Sequence, residues 1–298
     1  MQLLALRTVL VATDLDDTSV AAIETARSLA TAAGATLHIV HVTQERATSA
    51  RDAVARFLKD VGVETDARHV HLLAGDPAHE IRRLADGVRA DVIVLGPHRE
   101  REDRDRGGSL GSTALAIVTD SFAPCLVTRA PLRIPLERVL VGVDRSDAAR
   151  GALVVGLSWA SALRAPASTG GGPVSTMLVI HVDRSGANGA RSSSPPNGSG
   201  PVDDELRRIR ADAGPWARVS IEDVVVSALD PAAAIAGAAG ERHADLIVVG
   251  THGLGRESAG RLGSVSASLV RSSSIPVLLV PPAVWMSYAP SLGAMSAG

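Results

Sequence analysis

The stretch Gly250 to Val265, GTHGLGRESAGRLGSV, follows the apolar run Leu246 to Val249 and carries Gly250, Gly253, Gly263 and Ser264 at the spacing Gly-x2-Gly-x9-Gly-Ser. Read as strand, glycine-rich loop and helix start, it suits an anionic ligand. Glycine lets backbone N–H groups come close to phosphate oxygens, and a helix N-terminus adds unpaired donors and partial positive charge. The Ser264 hydroxyl is a further donor. A turn that only links a buried strand to a helix would use glycines too, so this spacing alone leaves both readings open.

Three other groups compete for chemistry. Asp14-Leu15-Asp16-Asp17-Thr18 follows an apolar run and matches the Asp-x-Asp-x-Thr nucleophile motif of haloacid dehalogenase-type phosphatases. That reaction needs a nucleophilic Asp, a second Asp as acid and base, a basic residue and further carboxylates for Mg²⁺; of these last only Asp76 offers itself. His69 and His71 alternate with Val70 and share a strand face, which would permit metal binding if a third ligand arrived, and the sequence points to none. His98 and His252 follow matching apolar runs, and His41 and His181 end two others in a structural role. No Ser, His, Asp constellation on a nucleophile turn is present, and GSLGS at Gly108 to Ser112 follows a polar loop. The chain does not read as an enzyme.

These residues need a frame. At 298 residues the chain is long enough for about two domains, and 46% hydrophobic content with 2% aromatics calls for cores of Val, Leu, Ile and Ala. A formal charge of −2 gives no electrostatic reason to bind nucleic acid or an acidic membrane. The lone Cys125 excludes an intrachain disulfide, and neither a signal peptide nor a membrane span is legible, so the cytoplasm is the expected compartment. Strands are expected at Thr8 to Ala12, Leu37 to Val42, about Arg68 to Leu73, Val92 to Leu95 and Pro124 to Thr128. Between them lie helices with Val20, Ile23, Ala26 and Ala30 on one face, Val54, Phe57, Leu58 and Val61 on another, and Ile81, Leu84 and Val88 on a third; the last starts at Asp76-Pro77 as cap and first residue. A fourth begins near Ser112.

The second half repeats the plan. ADVIVLGPHR from Ala90 answers ADLIVVGTHG from Ala244, TVLVATD ending at Asp14 answers RVLVGVD ending at Asp144, LHIVHV answers MLVIHV ending at Val182, and DPAHEI from Asp76 answers DPAAAI from Asp230. Apolar strands alternating with amphipathic helices imply parallel sheets joined by right-handed crossovers. The expected class is therefore α/β, with two tandem doubly wound five-stranded domains over 1–130 and 137–281. Ala130 to Leu136 is the linker and 282–298 a tail without periodicity. Ser168 to Gly172 and Arg184 to Gly200, rich in Ser, Gly and Pro, are expected as surface loops. Ligands of such sheets sit at the carboxyl ends of the strands near the reversal of strand order.

With these features the chain resembles the universal stress protein family in its tandem form, over nearly its whole length. The Gly-x2-Gly-x9-Gly-Ser spacing is similar to that family's ATP-binding signature. Carried over by position, the resemblance implies that Asp144 sits by the adenosine and the main chain of Val182 reads the adenine edge. Gly250 and Gly253 would lie along ribose and phosphates, Gly263, Ser264 and Val265 would hold phosphate oxygens, and Gly142 would allow close approach. The corresponding positions of the first half are Ala12, Asp14, Val42, Gly96, Gly111, Ser112 and Thr113. There the pattern departs: Arg99 stands where Gly253 stands, Gly96 to Gly111 spans 15 positions against 13 for Gly250 to Gly263, and Arg99 to Arg106 alternates charge, either for phosphate or for neighbouring carboxylates.

The resemblance implies an ATP-binding regulatory module of stress or dormancy, with Mg²⁺ on the nucleotide, at most slow hydrolysis and an unidentified protein partner. It also implies pairing through the last strands, within the chain or across a homodimer. A phosphatase using Asp14 and a nucleotide-free tandem scaffold are the alternatives.

Overall fold

The computed structural model describes residues 4–43, 47–63, 69–97, 110–144, 146–165, 175–183, 201–211, 218–253 and 261–293. The chain divides into two compact units, Leu6–Leu132 and Arg133–Gly298, the latter together with Met1–Ala5. The expected loops at Ser168 to Gly172, Arg184 to Gly200 and Arg99 to Arg106 lie outside the described residues, as does His98.

The first unit runs β1 (Thr8–Ala12), α1 (Asp17–Ala33), β2 (Thr36–Val42), α2 (Ala47–Asp60), β3 (Val70–Leu73), α3 (Pro77–Val88), β4 (Val92–Leu95), α4 (Ser112–Asp120) and β5 (Cys125–Val127). Its strands are parallel, in the order β3-β2-β1-β4-β5. Val92 to Leu95 are buried throughout, as a strand covered by helices on both faces must be. Gly34 ends α1 at φ +65°, a conformation a side chain resists. Asp76 caps α3 by accepting from His79 N at 2.8 Å, with Pro77 at the first turn. On β5, Cys125 is 1% exposed, and burial pushes its thiol up to about 12.

The second unit repeats the order as β6 (Arg138–Val143), α5 (Asp147–Ala162), β7 (Ser175–Asp183), α6 (Pro201–Ala211), β8 (Val219–Ser227), α7 (Pro231–Glu241), β9 (Leu246–Gly250), α8 (Ser264–Ser272) and β10 (Val277–Val280). Its strands are also parallel, in the order β8-β7-β6-β9-β10. The repeat extends to hydrogen bonds the sequence does not announce. Asp91 Oδ2 accepts from Arg7 N and Thr8 N at 2.7 and 2.8 Å, and Asp245 Oδ2 accepts from Glu137 N and Arg138 N at 2.8 and 2.9 Å. One carboxylate thus ties the foot of the central strand to its neighbour in each unit. Asp230 caps α7 as Asp76 caps α3, accepting from Ala232 N and Ala233 N.

The two units differ at one helix. From Ala148 to Ser161 every residue of α5 except Arg150 is buried, so this helix has almost no wet face. Its outer side meets an addition: the aperiodic stretch after Pro281 forms α9 (Pro282–Gly293), where Trp285 is 4% exposed. A helix that packs on a helix already apolar all round needs no strong amphipathic stripe of its own. The stretch expected as a tail without periodicity is thus helical over Pro282–Gly293.

Candidate nucleotide site

In each sheet the strand order reverses between the first and fourth strands, and the loops that leave these strands converge there. In the first unit the convergence is a cleft partly open to solvent. All seven first-half candidates line it: Ala12, Asp14 and Val42 from the ends of β1 and β2, Gly96 from β4, and Gly111, Ser112 and Thr113 from the start of α4.

The helix that faces this cleft starts on a glycine. Gly111 is the N-cap of α4 at φ −58°, ψ 155°, and Gly263 is the N-cap of α8 at φ −59°, ψ 148°; among the described residues neither helix start has a side-chain cap. A Ser, Thr, Asp or Asn there would accept from its own helix and occupy the donors. Glycine leaves them available to an acceptor from outside.

Opposite stands an aspartate at the end of the central strand. Ser19 Oγ donates to Asp14 Oδ1 at 2.5 Å, and Ser146 Oγ donates to Asp144 Oδ1 at 2.5 Å, with Ser146 N adding a bond of 2.9 Å. Partial burial pushes the Asp14 carboxyl up, but hydrogen bonds with Ser19, Asp16 and backbone groups outweigh it and hold the carboxyl below its ordinary value of 3.8. The stability this contributes is present above the unfolded value and is lost as pH falls through the lower, folded one. Removing the hydroxyl with Ser19→Ala will raise the Asp14 pKa and move the acid limb of the stability profile to higher pH. An NMR titration of the Asp14 carboxyl checks this, and an unmoved midpoint would refute it.

The second aspartate of the phosphatase-like motif has a different task. Asp16 Oδ1 accepts from Ser19 N at 3.1 Å at the start of α1. In the repeat its position is that of Ser146, whose hydroxyl accepts from Ala149 N at 3.1 Å as the N-cap of α5. Both residues cap their helix, so the Asp-x-Asp spacing is explained by helix initiation. His41 Nδ1 lies 2.9 Å from Thr13 O and steadies the chain beside Asp14.

In the second unit Gly142 and Asp144 end β6, Val182 lies near the end of β7 and half-exposed, Gly250 ends β9, and Ser264 and Val265 open α8. Contacts assign different causes to the glycines. A Cβ at Gly250 would lie 2.6 Å from Ala148 Cβ and 2.9 Å from Ala148 C, so the first turn of α5 demands glycine there. At Gly142 it would meet Val249 Cγ1 at 3.0 Å and Ile235 Cδ1 at 3.1 Å, both side chains of the core. At Gly253 it would meet, among the described residues, the Asp144 carboxylate, Oδ2 at 2.6 Å, which brings the loop directly over the strand-end aspartate. Gly263 N donates to Thr251 O at 2.8 Å, and a Cβ at Gly263 would lie 3.1 Å from that carbonyl. Ser266 Oγ donates to Gly250 O at 2.6 Å and joins helix start to strand end, a bond Ala114 cannot make in the first unit. His252 Nδ1 lies 2.9 Å from Thr251 Oγ1 within the loop, a packing role. Because α5 backbone stands in its way, Gly250→Ala will cost about 1–3 kcal/mol, read as a thermal midpoint lowered by about 2–4 °C per kcal/mol. An unchanged midpoint would remove the packing explanation.

Among the described residues no group of three or more His, Cys, Asp or Glu side chains is placed to hold a metal ion, and no helix is long and apolar enough to cross a membrane.

Known proteins place this geometry. The model of the "Universal stress protein family" matches residues 5–129 and again 135–281. A universal stress protein of Thermus aquaticus is 42% identical over 77 residues, which cover 26% of this chain and 56% of that protein. The crystal structure of a universal stress protein from Archaeoglobus fulgidus DSM 4304 superposes with a TM-score of 0.63 at 20% identity, over 92% of this chain and 98% of that one. A functionally unknown protein from Pseudomonas aeruginosa PAO1 follows at 0.61 and 17%, over 98% of each chain.

Proposed function

Because the chain belongs to the universal stress protein family, in tandem form, we propose that it is an adenine-nucleotide-binding regulatory module that works in the cytosol. Its nucleotide, ATP with Mg²⁺ carried on the phosphates, would lie across the strand tips of a unit. The observation that supports this reading is the pair of glycine N-caps, Gly111 and Gly263, which place no capping side chain on the first amides of α4 and α8 among the described residues. Phosphate oxygens are the complementary partner for such donors.

In the second unit Ser264 and Val265 would supply N–H groups, the Ser264 hydroxyl a further bond, and Gly253 a close main-chain approach over Asp144. Asp144 would accept from the ribose hydroxyls, and the half-exposed Val182 would offer its main chain to the adenine edge. In the first unit Asp14, Val42, Gly96, Gly111, Ser112 and Thr113 line one cleft and would take the same roles. Hydrolysis would be slow. A general base must hold a proton-accepting pair near water, and Asp14 already accepts a hydrogen bond from the Ser19 hydroxyl and, with its pKa held down, is a weakened base. Occupancy would then alter assembly or the choice of a protein partner in stress or dormancy.

Native mass spectrometry of the purified full chain tests this. Adenine nucleotide retained, or taken up on addition of ATP, at one or two per chain is the expected result. A chain that stays empty in both conditions would leave a tandem scaffold without nucleotide.

A further inference from the structure

Among the described residues, three that are not glycine hold a left-handed backbone: Arg89 at φ 53°, His243 at φ 51° and Leu15 at φ 64°. The first two belong to helix ends. Arg89 is the C-cap of α3, and His243 comes directly after Arg242, the C-cap of α7, where a left-handed residue commonly closes the helix. Leu15 closes no helix: it stands between β1 and α1, directly after Asp14. A leucine is strained there because its Cβ crowds the following carbonyl, and glycine, asparagine or aspartate would hold the same turn more easily. Its neighbours keep it in place. Leu15 N donates to Thr13 Oγ1 at 3.0 Å, Thr13 N donates to Val40 O at 3.0 Å, and His41 Nδ1 lies 2.9 Å from Thr13 O. On the other side Ser19 N donates to Asp16 O at 3.0 Å and to Asp16 Oδ1 at 3.1 Å.

We infer that Leu15 is a positioning residue for the first unit's cleft: its left-handed turn folds the start of α1 back onto the end of β1, so that Ser19 meets Asp14 and fixes that carboxylate in the cleft. The inference rests on the reading of this cleft as a nucleotide site. Asp14 N donates to Ser19 Oγ at 3.3 Å while that hydroxyl donates to Asp14 Oδ1 at 2.5 Å, a closed pair between residues five apart. Thr13, Asp14 and Ser19 line the cleft, whereas Leu15 is not one of its lining residues and so acts through Asp14. An extended residue at this position would carry Asp16 and the first turn of α1 away from the strand end, and the pair would open. Strained backbone persists where the surrounding bonds over-determine it, and it gathers at sites that must be set before a ligand arrives. A carboxylate already held where the ribose hydroxyls are proposed to lie loses less freedom on binding than one that must first be ordered.

Leu15→Ile and Leu15→Gly separate the turn from the side chain. Isoleucine, branched at Cβ, resists the left-handed region more than leucine does, and glycine enters it freely. In the isotope-labelled full chain the NMR titration of the Asp14 carboxyl is expected to move to higher pH in Leu15→Ile and to return to the wild-type midpoint in Leu15→Gly. Titration with ATP, read at the Ser112 and Thr113 amide signals that report the first unit alone, is expected to show binding about tenfold weaker in Leu15→Ile and restored in Leu15→Gly. A turn that served the fold alone would lower the thermal midpoint of Leu15→Ile and leave the Asp14 titration where it was, which overturns the proposal. So does ATP bound equally tightly by wild type and Leu15→Ile, or a Leu15→Gly chain that restores neither property. If Leu15→Ile does not fold, the wild-type chain decides: a left-handed residue brings its amide proton close to its own Hα, and a weak Overhauser effect between the two at Leu15 sinks the idea. A chain that binds no ATP while the Asp14 midpoint moves as stated removes the nucleotide reading and keeps the role of Leu15.

Discussion

Trp285→Ala will destabilise the second unit by about 3–5 kcal/mol, the cost of truncating a buried aromatic. The ring is 4% exposed and lies 3.8 Å, centroid to carbon, from the guanidinium of Arg150, which adds a cation–π attraction. Its helix approaches α5 closely. A Cβ placed on Gly151 would be 3.5 Å from Trp285 N and 3.6 Å from Trp285 Cβ. Loss of the indole therefore opens a cavity against a helix that has almost no wet face, and bares apolar surface that α9 otherwise covers. Urea unfolding followed by circular dichroism measures the effect. A loss below about 1 kcal/mol, the level of ordinary surface substitutions, would make α9 a loose appendage.

The double substitution Gly253→Ala, Gly263→Ala will leave the fold in place and weaken ATP binding in the second unit by about 10–100-fold, or 1.4–2.8 kcal/mol. Among the described residues the methyl at Gly253 meets the end of the Asp144 side chain, and turning that carboxylate aside loosens its bonds from Ser146 and takes it from the place proposed for the ribose. The methyl at Gly263 presses on Thr251 O, the acceptor for Gly263 N, and tilts the start of α8 away from the place proposed for the phosphates. One or two charge-assisted hydrogen bonds, about 1.5–3 kcal/mol each, are at stake. Calorimetry reads the outcome. If the first-unit cleft also holds nucleotide, one class of site disappears from the isotherm while the other persists. Unchanged affinity and stoichiometry would remove the phosphate-cradling role from this loop. Gly250→Ala serves as the contrast, because its penalty arises from the α5 backbone and falls on stability.

What could be read in the chain depended on whether its cause was local. The strands at Thr8 to Ala12 and Val92 to Leu95 coincide with β1 and β4, and Asp76 and Asp230 cap as their spacing suggests, because an apolar run and a cap are short-range facts. The same holds for the two helices that begin at Ser112 and Ser264 behind glycine. Causes that act across the fold were hidden. Gly250 yields to α5, a hundred residues upstream, and nothing in the glycine spacing separates it from Gly253. The Asp-x-Asp spacing at Asp14 invited a phosphatase reading until Ser146, its counterpart at the helix cap, explained Asp16. His38 Nδ1 comes within 2.9 Å of His71 Nε2 only through the register of β2 and β3, so the reading of His69 and His71 as a pair misses it. The helix after Pro281 was concealed for a similar reason, since its neighbour α5 supplies the apolar surface that a solvent-facing helix would have to carry as a stripe.

The burial of Cys125 has a practical consequence. It is the chain's single thiol and belongs to the first unit, whereas the three tryptophans, Trp159, Trp216 and Trp285, belong to the second. A sulfur this inaccessible and this reluctant to ionise reacts with maleimide only when the strand around it opens. Alkylation rate therefore clocks the opening of one repeat while indole emission follows the other, and a wild-type sample without added dyes or engineered labels on its tryptophans can reveal whether the duplicated halves come apart together or in turn.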